Sequence, residues 1–249
     1  MIVLNFQTSP ITYARIAGLL YLIIALFGGF SIGYVPSVVF ESGDAVATAA
    51  NISNHQGLYR LGIFSDIVVL LAEVVLTAIL YILFKPVNQT LSLVAAFARL
   101  SMVVVMAINS LIYLMPMALL NETVSLDAFG AGQKQEIALM LLEAHQYGIY
   151  IWGILFGLHL SALGYLVIRS GYVPKILGWA MMVGSLGYLL EGLAGVTFTS
   201  NELFSMVVIG LLVVVTIGEL SFAFWLLFKG ITVTCREQKK QTLNARESL

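Results

Sequence analysis

Residues 58–84 read LYRLGIFSDIVVLLAEVVLTAILYILF, an apolar run interrupted by three charged residues, Arg60, Asp66 and Glu73. A bilayer hydrocarbon core about 30 Å thick takes roughly 20 residues of helix, so the run is long enough to cross. Gly62, Asp66, Val69, Glu73 and Thr77 recur at three- and four-residue steps, which sets both carboxyls on one helix face about two turns apart. A charge at the centre of a bilayer costs about 2.5–3.5 kcal/mol on insertion scales, so such residues face other helices or water. The stretch predicts a membrane helix with one polar face turned inward.

The remainder of the chain is of the same kind. Of 249 residues, 60% are apolar and 10% charged, against roughly 45–50% and about 25% in soluble domains. Six segments are long enough to span, at about 11–35, 58–84, 91–119, 147–168, 174–198 and 203–228. The expected fold is therefore all-α, a polytopic membrane helical bundle in one transmembrane domain over 1–230. A polar, basic tail follows at 231–249. Proline, glycine and small polar residues at 85–88, 170–174 and 199–201 mark short breaks, so successive helices should run antiparallel. An outer cap is expected over about 40–57, and an amphipathic stretch at 133–146 should extend the fourth span beyond the bilayer. The first run is too long for the apolar region of a signal peptide and is expected to be retained.

Basic residues accumulate on the cytoplasmic side of membranes. Arg15, Lys85, Arg169, Lys175, Lys229 and the tail residues Arg236, Lys239, Lys240 and Arg246 would share one side. Glu41, Asp44, Glu122, Asp127, Glu136 and Glu202 would share the other, with Arg60 and Lys134 as exceptions. This places both termini in the cytoplasm. In the cap, Asp44 suits the N-cap of a short helix, with a pair to Arg60 as the alternative. A single cysteine, Cys235, excludes an intramolecular disulfide and a cysteine-rich metal site.

The polar residues inside the spans suggest groupings. Arg99, Met102, Met106, Asn109 and Tyr113 form one stripe on the third span. Glu73 and Arg99 lie at similar depth across a tight hairpin and form a candidate ion pair. Arg15 and Glu219 form a second candidate pair on the first and last spans. Gly184, Gly187, Glu191 and Gly195 share a face of the fifth span, and small residues let helices approach closely in lipid, so Glu191 is expected to point at protein. His145, Trp152 and His159 recur at seven-residue steps on the fourth. With the arginines paired, Asp66 and Glu191 remain; a carboxyl there has to be protonated, hydrated, hydrogen-bonded or matched with a cation. Asp66, Asn109, Tyr113, His159 and Glu191 are the expected lining of a polar pocket.

Several segments also resemble a known family. Gly43-Asp44 with Thr48 and Asn51-Ile52, Tyr59-Arg60-Leu61-Gly62 with Asp66, Leu80-Tyr81 before Lys85-Pro86-Val87, and Arg99 with Asn109 carry the likeness. So do Gly157-Leu158-His159-Leu160, Arg169-Ser170-Gly171-Tyr172-Val173-Pro174 and Leu177-Gly178. Together they resemble the bacterial membrane-protein family described as domain of unknown function 4386, over about Tyr13 to Phe228. The resemblance implies a multi-helix protein of a bacterial inner membrane and supplies no catalytic residues.

Three functions remain open at this level. The first is a pocket that binds or passes a small molecule, proton or cation. The second is a membrane-embedded enzyme on a lipid-like substrate, with His159 and a carboxylate as acid and base. The third is a sensor or accessory subunit whose buried charges only fix helix register. Besides the lipid bilayer no partner is specified, no nucleic-acid partner is expected, and neither a cofactor nor an oligomeric state is indicated. Three histidines give poor support to a metal site, which wants several His or Cys ligands. Ser161, two residues from His159 on one helix, cannot face it as a nucleophile.

Overall fold

The computed structural model describes residues 9–121, 128–197 and 201–231, and these are helical with short connections. Glu122, Asp127, Cys235 and the basic tail lie outside the described residues. Among the described residues, six helices are long and apolar enough to cross a membrane. The first span comprises α1 (Pro10–Gly28), a π-helical stretch (Gly29–Tyr34) and α2 (Val35–Val39). The cap helix is α3 (Ala45–Asn54), and the other spans are α4 (Gln56–Phe84), α5 (Gln89–Leu120), α6 (Ala131–Ser170), α7 (Lys175–Thr197) and α8 (Glu202–Phe228).

The first span runs past the expected end at residue 35. Pro36 sits in the first turn of α2, where its missing N–H is tolerated. The widened π turn just before it, in which the Val35 N–H bonds the Phe30 carbonyl, carries the helix through. In α6 the amphipathic stretch and the fourth span are one helix of 40 residues, about 60 Å long and thus longer than the bilayer is thick. Its last turn closes at Gly171, whose φ of 69° is left-handed.

Capping follows the sequence. Asp44 accepts the Ala47 N–H at 2.8 Å and starts α3, while Arg60 is exposed and makes no ion pair among the described residues. Asn88 and Asn201 each accept an N–H three residues on, at 2.9 Å, and start α5 and α8.

The six spans form a ring in chain order. Each packs on its sequence neighbour, and α1 closes the ring against α8. The face holding the start of α1 and the end of α8 is here the tail side; the face under α3, which packs chiefly on α6, is the cap side. Tight seams are made by glycines. A Cβ on Gly164 would lie 2.7 Å from the Gly178 carbonyl oxygen, so α6 and α7 touch backbone to backbone. A Cβ on Gly184 would lie 2.6 Å from the Val215 N, joining α7 to α8. Large apolar side chains such as Leu26, Ile176 and Leu203 point outward, as a lipid-facing surface requires.

The candidate intramembrane site

Four helices meet at Arg99. The α4–α5 turn is short, so Glu73 and Arg99 come level, and the guanidinium Nε is ion-paired with the Glu73 carboxylate. Nη1 donates to the Tyr21 hydroxyl of α1 at 3.3 Å and to His159 Nε2 of α6 at 2.7 Å. A guanidinium only donates, so His159 Nε2 accepts and its proton lies on Nδ1, which donates to the Ala95 carbonyl at 2.8 Å. The guanidinium carbon also lies 5.1 Å from the Tyr21 ring centre and 5.9 Å from that of Phe156. Arg99 and His159 are each 1% exposed. At that burial an unpaired charge would be costly, and this network satisfies it.

Above this network, toward the cap side, lies a cavity of about 380 Å³. Its walls are largely apolar and aromatic, including Met102, Val103, Trp152, Phe156 and Tyr188. Set into them are Glu73, Arg99, Glu219 and Asp66. Glu219 is half-buried and has no hydrogen-bond or ion-pair partner among the described residues. Asp66 stands beside the Ser31 hydroxyl of the π-helical stretch, and Gly28, Gly29 and Ile32 complete that wall. A wider cleft on the cap side shares Gly28, Gly29, Ile32, Trp152 and Tyr188 with the cavity, so the two adjoin.

The expected five-residue pocket does not assemble. Asp66 lines the cavity, whereas His159 is held by Arg99 and Ala95 and lines no part of it. Tyr113 and Glu191 line the cap-side cleft instead. Asn109 lines neither and clamps α5 to α6: its Nδ2 donates to the His145 carbonyl at 2.9 Å, and His145 Nδ1 bonds the Asn109 carbonyl at 3.2 Å, while its Oδ1 is buried without a hydrogen-bond partner among the described residues. Tyr113 is stacked between Tyr59 and His145, at 4.6 and 4.7 Å. The physical reason is rotation. A ring keeps α4 and α7 apart, so their polar faces meet different neighbours.

Glu191 is exposed at the cap-side cleft and not packed in a helix seam, because the α7 glycines serve two partners: Gly184 and Gly187 face α8, while Gly192 and Gly195 face Tyr150 of α6. One further expectation is corrected. Arg15 is exposed and does not pair with Glu219. The register of α1 on α8 is set by Gly18 against Ala223 and Leu227, and by Tyr21 against Phe222. That puts Glu219 level with Ile24, about 13 Å along the axis from Arg15.

Tyr21, Phe156, Tyr188 and Ser31 were not legible as site residues. Aromatics scattered through apolar spans signal packing, and only the ring arrangement turns these four inward. Among the described residues no three His, Cys, Asp or Glu side chains converge in a way that would hold a metal ion.

No solved structure matches the chain. An "Uncharacterized protein" of Archaeoglobus fulgidus is 29% identical over 171 residues, covering 68% of this chain and 82% of the relative. Residues 16–230 match the profile of the Domain of unknown function (DUF4386), and the chain belongs to that family.

Proposed function

We propose that the protein binds a small amphipathic molecule within the bilayer, in the cavity beside Arg99. The observation that carries the reading is the combination of about 380 Å³ of space with an unpartnered carboxyl, Glu219, on an apolar and aromatic wall. A helical bundle held together only by structural ion pairs has no need of such a space, since empty volume in a core is destabilising. Binding sites for small molecules have this character, mostly apolar with a few polar groups. The distribution of basic residues supports a cytoplasmic membrane with both termini inside. The enzyme reading loses its base, because both ring nitrogens of His159 are committed to Arg99 and Ala95.

Trp152 lies on the cavity wall, so a Trp179→Phe, Trp225→Phe background leaves it as the sole tryptophan reporter. In phosphatidylcholine nanodiscs, benzyltrimethylammonium or its uncharged isostere neopentylbenzene should shift Trp152 emission saturably. Val103→Phe, which fills the cavity, should abolish the response. No saturable response to either probe, or one untouched by Val103→Phe, would sink the reading.

A further inference from the structure

We propose that the occupant is a lipid-soluble organic cation, a protonated or quaternary amine on an apolar body, held by Glu219 and reaching the cavity sideways between α1 and α8. The inference rests on the binding reading above and names its ligand class.

Charge comes first. The cavity holds one cation and three acids, Arg99 against Glu73, Glu219 and Asp66. Arg99 is ion-paired with Glu73 and bonds Tyr21 and His159 through Nη1; its charge is felt at Glu219, but the two make no ion pair among the described residues. Two acids, Glu219 and Asp66, remain once Arg99 is matched with Glu73; a cation is favoured beside them, whereas an anion would meet carboxyl groups in a low dielectric.

The body of the ligand follows from the walls. Trp152, Phe156 and Tyr188 form one cluster, with ring centres 5.0 Å apart for Trp152–Phe156 and for Phe156–Tyr188, and 5.8 Å for Trp152–Tyr188. Ring faces attract an ammonium group. The Tyr188 hydroxyl, free of any hydrogen-bond partner among the described residues, lies in the field of Glu219. A bare metal cation instead needs a shell of about six oxygens, and this lining is largely apolar, with no three His, Cys, Asp or Glu side chains converging among the described residues.

The route follows from the seam. At the tail side α1 and α8 touch, with a Gly18 Cβ only 2.6 Å from the Ala223 carbonyl oxygen. Further along, Ala25, Gly29 and Ile32 on one side and Thr216 and Leu220 on the other are exposed, and all five also line the cavity. The cavity thus reaches the lipid-facing surface there, one turn from Glu219.

The same sole-tryptophan protein tests this. At equal concentrations in the lipid phase, benzyltrimethylammonium should bind about tenfold or more tightly than neopentylbenzene, the combined effect of a counter-ion and ring faces. Glu219→Gln should bring the two within about threefold, and Glu219→Asp, which keeps the charge, should restore the preference. Equal binding of both probes overturns the cation while leaving the cavity reading intact; binding of neither overturns both. A preference that survives Glu219→Gln overturns Glu219 as the counter-ion. Displacement of the probe by millimolar sodium, with N-methylglucamine as control, would show an inorganic cation site and overturn the proposal.

Discussion

The α6–α7 seam and the α1–α8 seam are both built on glycine, yet they end differently. Between α6 and α7, Gly157, Gly164, Gly178 and Gly192 bring the helices together along most of the bilayer. Between α1 and α8, Gly18 does so once, near the tail side, and the helices then part. The neighbouring charges differ in the same sense. Beside the closed wall Arg99 has a partner for its charge and for Nη1; beside the open seam Glu219 has none among the described residues. Where small residues repeat, helices can exclude a guest. Where they stop, space and an unpartnered carboxyl remain together.

Substitution can break this contrast. Arg99→Leu should be the most damaging change, costing about 3–5 kcal/mol by stranding buried Glu73, as measured by steric-trap unfolding in bicelles. A cost under about 1 kcal/mol would mean that the closed side is not held by its charges. Gly164→Ala pushes a methyl into the Gly178 carbonyl and should cost about 1–3 kcal/mol. Gly29→Ala, with nothing within 4 Å of the added carbon, should be nearly silent in the same assay. Equal effects would erase the distinction between the seams.

The outer cap gives a smaller effect. Asp44→Ala removes the acceptor for the Ala47 N–H and should cost about 0.5–2 kcal/mol, seen as faster amide exchange in α3. Glu219→Gln comes last, at about 0.5 kcal/mol or less, because no partner is lost. A large loss of stability from that variant would reveal a structural role for Glu219 and weaken its assignment to a ligand.

The spans were legible because the cost of polar groups in lipid forces long apolar runs, and six such runs stand clear of their breaks. The depths of Glu73 and Arg99 were calculable from the turn at 85–88, since each lies a countable number of residues from it. Nothing comparable links Arg15 to Glu219. Their helices are joined only through the rest of the ring, and their register is fixed by where Gly18 meets Ala223, a contact without a sequence signature. Helix rotation was hidden for a related reason. A glycine stripe on α7 announces close approach without saying to whom, so the cleft that Glu191 lines, apart from the cavity of Asp66, was not legible.

Ring order also dictates when each part of the molecule comes into being. The α4–α5 hairpin carries both members of the Glu73–Arg99 pair, so a growing chain can insert it as a neutralised unit before later helices exist. The first span cannot find its last neighbour until α8 has been synthesised, because α1 packs only on α4 and α8 among the spans. Until then its inner face has to be shielded by lipid or by the insertion machinery. The seam closed last in biogenesis is the same one that stays partly open in the finished protein.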